Sequence, residues 1–145
     1  MKLTEHLYYY PEYGMLDANT YIVKDHISII VDIGSLQFFQ NLLRDMKKDG
    51  IKPEDINVII NTHFHLDHYM ANEEFKKLSG AKILAHPLQK KFYDTVVNKA
   101  SEAFGIQPVP YKEDEVMDIT ELSKGNLKLE IIPVPGHSPD SICIY

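Results

Sequence analysis

The chain has 145 residues, 44% of them apolar and 25% charged, with a formal net charge of −6. That length suits one domain with its own core and is short for two, and the composition is that of a globular protein rather than a disordered or fibrous one. The acidic balance argues against nucleic acid or anionic membrane as a partner, and the single cysteine excludes an internal disulfide or a multi-cysteine zinc site.

The first third reads as strands over Leu3–Tyr10, Asn19–Lys24 and Ile27–Asp32, the last almost continuously apolar, as in a strand buried on both faces. Ser35, after Gly34, is placed to cap a helix running to about Lys48, with Phe39, Leu42, Leu43 and Met46 on one face and Gly50 past its end. Pro53 opens a turn, and Ile56–Asn61 is a second buried strand. A polar run follows it directly, His63-Phe64-His65-Leu66-Asp67-His68. Asn72–Ser79 is a short amphipathic helix with Phe75 and Leu78 inward, and Ala81–Ala85 is a strand. Pro87 sits near the start of a helix reaching to about Phe104. Lys112–Asp118 is acidic and expected at the surface. Leu127–Val134 alternates as a strand, Pro135-Gly136-His137-Ser138-Pro139 is a sharp loop, and Ser141–Tyr145 begins another strand in which Cys143 is expected buried and inert. Strands and helices alternate after residue 27, so the fold class is α/β, and residues 1–145 are expected to form one domain.

The chemistry concentrates in the histidine run. In an extended segment residues i and i+2 project to the same side, so the imidazoles of His63 and His65 can converge on one metal ion. Asp67 and His68 follow where a helix begins, and the turn lets them face a second ion beside the first. Two ions ~3.5–4 Å apart can clamp both ends of a hydrolytic displacement. Asp32 ends a buried strand, where an unpaired carboxylate is costly; it reads either as an acceptor orienting a ligand histidine or as a turn or helix N-terminal residue. His137, in a stiff Pro-Gly-His-Ser-Pro loop, offers the third imidazole that the His63/His65 pair lacks.

Asn61-Thr62-His63-Phe64-His65-Leu66-Asp67-His68 resembles the His-x-His-x-Asp-His signature of the metallo-β-lactamase superfamily. Val31-Asp32-Ile33-Gly34 resembles its first motif and Pro135-Gly136-His137-Ser138-Pro139 its third-histidine motif, in the same order along the chain. The resemblance implies a four-layer αββα sandwich with metals at one edge of two sheets. It implies a first metal on His63, His65 and His137, a second touching Asp67 and His68, and Asp32 supporting the ligands from behind. It also implies Zn2+, one or two ions, although iron or manganese suits the same ligands. The hydroxide between the metals would be the nucleophile, with Asp67 as the catalytic residue that orients it or handles its proton.

The chain departs from the family pattern in two places. Tyr69-Met70-Ala71-Asn72 stands where a glycine-rich turn is usual. A bridging aspartate and a last histidine normally lie beyond the Pro-Gly-His motif, and nothing follows Tyr145. His6, His26 and His86 are in the wrong places to substitute. The expectation is therefore the N-terminal portion of the family domain, C-terminally incomplete, with an exposed sheet edge that invites self-association.

The leading functional reading is a metal-dependent hydrolase of thioesters, lactones or similar acyl compounds, resembling the glyoxalase II and lactonase branches. The Asp67-His68 pair favours these over true β-lactamases, and His65 argues against the flavodiiron oxidoreductases. Two alternatives stand beside it: a non-haem iron dioxygenase acting on a persulfide, and a metal-binding fragment without turnover. The expected partner is a small-molecule substrate, with no nucleic acid and no membrane. Pro87 to about Asp118 falls where the family builds pocket walls, and Tyr93, Phe104 and Tyr111 there suit either a cleft lining or a core. The N-terminus has no apolar leader and no stretch approaches a membrane span, so a cytoplasmic location is expected.

Overall fold

A computed structural model describes residues 1–93, 97, 99, 103, 111–116, 121–124 and 127–145. β1 (Leu7–Tyr10), β2 (Thr20–Lys24) and β3 (Ser28–Val31) form an antiparallel meander. β4 (Val58–Ile60), β5 (Lys82–Ala85) and β6 (Glu115–Val116) then add in parallel, completing a six-stranded sheet in chain order. A second, three-stranded sheet is antiparallel throughout: β7 (Glu121–Lys124), β8 (Leu127–Pro133) and β9 (Ile142–Ile144).

The apolar runs follow from this layering, because the central strands are covered on both faces. On one face Ile30, Ile59 and Ile83 meet Phe39, Leu42 and Met46 of α1 (Phe39–Lys48) and Phe75 of α3 (Asn72–Ser79). On the other, Ile29, Val31, Ile60 and Leu84 meet Leu129, Ile131 and Ile142 of the second sheet. Each such side chain contributes about 1.5–3 kcal/mol over leaving it in water. This packing fixes the end of β4 relative to the turn between β8 and β9, and those two places carry the histidines.

Several sequence expectations shift. The first strand is shorter than Leu3–Tyr10, because the amides of Leu3 and Thr4 fold back onto the carbonyl of Leu7. Ser35 does not cap α1: its amide donates to Asp17 Oδ1 (2.9 Å), residues 36–38 turn, and the helix starts at Phe39 without a side-chain cap. Leu78 is 47% exposed, leaving Phe75 as the apolar anchor of α3. Cys143 is exposed, not buried, because β9 alternates and Ile142 takes the inward position before it. Lys112–Val116 is largely exposed as expected, and it adds an edge strand: Glu115 and Val116 pair with β5, and Asp114 Oδ2 accepts from the amide of Ile83 (2.8 Å). Met117 and Asp118 lie outside the described residues.

Pro87 opens α4 (Pro87–Phe92) as expected, and His86 caps it by accepting from the amide of Leu88 (3.2 Å). Most of the expected continuation to Phe104 lies outside the described residues. Among the described residues no helix is long and apolar enough to cross a membrane.

Candidate metal centre

β4 loses its last ladder partner after Ile60, and the histidine run begins three residues later. Asn61 is buried there and held on several sides: its Nδ2 donates to the carbonyl of His68 (3.0 Å), Asn72 Nδ2 donates to its Oδ1 (2.6 Å), and Gln89 Nε2 donates to its carbonyl (2.6 Å). The chain bends at Thr62 and His63 and is extended at His65 (φ −79°, ψ 149°), which leads into α2 (Leu66–Tyr69). Phe64 takes the inward side, fully buried among Tyr69, Tyr93 and Tyr111 at ring-centroid distances of 5.4, 6.3 and 4.4 Å. His63 and His65 are thereby turned to the other side together.

His137 arrives from the turn between β8 and β9. Its Nε2 lies 3.0 Å from His65 Nδ1, and His63 Nε2 lies 3.1 Å from the same nitrogen. One ligand nitrogen from each of the three residues falls within 4.8 Å of the others. Ligands ~2.0–2.1 Å from a tetrahedral ion stand about 3.3 Å apart, close to the two distances from His65 Nδ1, so this donor set suits a single Zn2+-like cation. His63 is buried, His65 half-buried and His137 exposed, which leaves one side of the cluster open.

The other nitrogen of His63 is also engaged. Its Nδ1 lies 3.0 Å from Thr62 Oγ1, and the Thr62 hydroxyl lies 2.7 Å from Asp32 Oδ2. With the hydroxyl donating to the carboxylate, Thr62 accepts from Nδ1–H, which leaves the Nε2 lone pair directed at the cluster. Asp32 Oδ1 also accepts from the Thr62 amide (2.8 Å). Asp32 holds this place in a left-handed backbone conformation (φ +54°), which aspartate tolerates better than most residues. Gly34 follows at φ +87°, where a Cβ would collide with the Asp17 carboxylate.

His68 sits beside the trio, its ring 4.0 Å from that of His63. Its Nδ1 is 3.0 Å from Asp32 Oδ2, though off the line of a good hydrogen bond, and its Nε2 is 3.7 Å from Asp67 Oδ2. Burial, and then the His68 and His65 rings, lower the pKa of His63 to about 4; burial and His137 lower that of His65. Burial opposes charge on His68 too, but Asp32 and then Asp67 outweigh it and the pKa of His68 is raised. His63 and His65 are thus neutral near pH 7, the form that binds metal.

Residues 13–145 match the family described as the metallo-beta-lactamase superfamily. The chain belongs to that superfamily. A probable metallo-hydrolase of Methanocaldococcus jannaschii, MJ0888, is 32% identical over 130 residues, covering 88% of this chain and 61% of the relative. A probable hydroxyacylglutathione hydrolase of Schizosaccharomyces pombe is 28% identical over 116 residues, 80% of this chain and 37% of that protein. Among solved structures, the FEZ-1 metallo-beta-lactamase of Legionella gormanii superposes with a TM-score of 0.83 at 19% identity, over 99% of this chain and 56% of that one, a likeness of fold. The chain thus spans about 61% of the first of these relatives and 56% of the structure. The helical layer and the two facing sheets are those of the αββα metallo-β-lactamase sandwich, present in part.

Within this superfamily fold, the structure brings His63, His65 and His137 together and sets Asp67, His68 and Asp32 around them. Asp67 and His68 do not join the three-histidine group as ligands to one ion among the described residues. Tyr93 and Tyr111 are core residues behind Phe64 rather than a cleft lining, and Phe104 lies outside the described residues. Sequence reasoning passed over Thr62, which links Asp32 to His63, and Asp140, whose Oδ2 accepts from the amide of Phe64 (2.8 Å). Thr62 had a usable signal, a hydroxyl adjoining the first histidine. Asp140 had a fainter one, a carboxylate at the head of an apolar strand.

Proposed function

We propose that this chain carries the metal-binding part of a hydrolase acting on thioesters, lactones or similar acyl compounds. The observation that carries the reading is the convergence of three imidazoles from two separate loops, with His65 Nδ1 3.1 and 3.0 Å from the nitrogens of His63 and His137, beside a half-exposed aspartate. A bound divalent ion supplies Lewis acidity and makes a coordinated water acidic near neutral pH. The chain's own groups do the rest. Asp32 and Thr62 hold His63 in one tautomer, burial keeps His63 and His65 unprotonated, and Asp67 presents a carboxylate that can orient a water or take its proton. Asp67 and His68 are the chain's contribution to a second metal position. Acyl substrates are favoured by that adjacent pair and by a hydroxyacylglutathione hydrolase among the relatives.

The test is hydrolysis of a thioester and lactone panel by Zn2+-replete protein. Turnover that is lost in His63→Ala and His65→Ala is expected; turnover that survives both substitutions would place the chemistry elsewhere. A second reading, a one-iron dioxygenase acting on a persulfide, is favoured by one fact: among the described residues a single three-histidine cluster is formed. One iron per chain with oxygen uptake would select it over the hydrolase.

A further inference from the structure

Two loops far apart in sequence must meet for the trio to exist. They meet at the His63–His65 segment, where two hydrogen bonds other than those between ring nitrogens cross from the β8–β9 turn. The amide of Ile142 donates to the carbonyl of Thr62 (2.8 Å), and the amide of Phe64 donates to Asp140 Oδ2 (2.8 Å). The first is backbone to backbone and independent of side-chain identity. The second depends wholly on residue 140.

Asp140 is completely buried, and among the described residues its Oδ1 has no hydrogen-bond partner. A carboxylate in that setting is costly unless it is bonded, and one charge-assisted bond to a backbone amide is what it has. That amide is equally dependent on it. Phe64 lies beyond the β4 ladder, is fully buried, and needs an acceptor that no neighbouring strand supplies. The bond lands on the residue between two ligands, with His63 and His65 each one peptide away. At its other end it lies three residues past His137, in a turn tightened by the Ser138 and Ser141 hydroxyls (2.8 Å). His137 is the exposed member of the trio and so gains least from packing.

We propose that Asp140 is a positioning residue of the metal centre, clasping the His137 turn to the His63–His65 segment so that the third imidazole stands at bonding distance from the ion. The inference rests on the three-histidine metal site proposed above. Removing the clasp leaves the Phe64 amide buried and unpaired and frees the His137 turn to drift from the other two ligands. Asparagine at 140 retains an acceptor oxygen for the same amide; alanine does not.

The test measures Zn2+ affinity by chelator competition, and the visible spectrum of the Co2+-loaded protein, for the wild type, Asp140→Asn and Asp140→Ala. Apo-protein circular dichroism serves as the folding control. The expected result is Asp140→Asn within about threefold of the wild type, and Asp140→Ala about 10–100-fold weaker with an altered Co2+ ligand-field spectrum, the range seen when the outer partner of a metal ligand is lost. Wild-type affinity and spectrum in Asp140→Ala would overturn the proposal, as would an Asp140→Asn as weak as the alanine variant. If Asp140→Ala does not fold, hydrogen exchange at the Phe64 amide of the wild type decides: strong protection is expected, and free exchange would overturn the clasp. A wild type that binds no Zn2+ overturns the metal site itself, an outcome distinct from metal bound equally by all three proteins.

Discussion

The two parts of the centre are built differently. His63, His65 and His137 come from two loops separated by about half of the chain, yet His65 Nδ1 already stands 3.1 and 3.0 Å from the nitrogens of His63 and His137. Asp67 and His68 are neighbours on one short helix, and His68 lies 3.0 Å from Asp32 and 3.7 Å from Asp67. Nearness in sequence does not make a ligand set. The trio is assembled by the burial of Phe64 behind it, by the Asp32–Thr62 pair beside it and by the packing of two sheets beneath it, whereas the pair rides on one short helix tied down through the His68 carbonyl. The trio should therefore respond strongly to changes in its supports, and the pair to changes in itself.

The largest expected effect comes from Phe64→Ala. It empties a fully buried aromatic site behind both ligands and should cost about 3–5 kcal/mol in urea unfolding of the apo-protein. A loss below about 1 kcal/mol, within the range of a surface substitution, would mean that the aromatic cluster does not support the loop.

Asp32→Asn comes next. Asparagine also tolerates the left-handed backbone at this position, so the change removes mainly the charge and an acceptor. First-equivalent Zn2+ affinity should fall about 10–100-fold, because the Thr62 hydroxyl that sets the His63 tautomer loses its carboxylate partner. Unchanged affinity would separate Asp32 from the trio and leave it to His68 alone.

The smallest effect is a pH dependence in which trio and pair oppose each other. His63 is lowered to about 4, so the unfolded apo-chain takes up that proton first, and stability is lost as pH falls from about 6.5 towards 4. His68 is raised, so its contribution has the opposite sign: present at low pH and lost as pH rises through its folded value. Melting temperatures between pH 4 and 8 should fall more steeply with acid in His68→Gln and less steeply in His63→Gln. Identical slopes in the two variants would contradict the opposed environments.

What could be read in the sequence was what local order encodes. The buried strands Ser28–Val31 and Val58–Ile60 announce themselves by continuous β-branched apolar residues, and the histidine run by its two-residue spacing after such a strand. The third imidazole was legible through its Pro-Gly-His-Ser-Pro setting. Contacts between distant segments left no such mark. The Asp140–Phe64 bond spans 76 residues, and Asp17, which holds the Ser35 amide and displaces the start of α1, lies 18 residues upstream of it. Cys143 was misread because a three-residue strand buried on one face differs little in sequence from one buried on both.

The most direct test is Zn2+ competition titration of His137→Ala against His68→Ala. If the first ion belongs to the trio, His137→Ala should weaken the first equivalent by more than about 100-fold, beyond the loss of an outer partner, while His68→Ala leaves it within about tenfold. Equal losses in the two variants, or wild-type affinity in His137→Ala, would contradict a first site made of His63, His65 and His137.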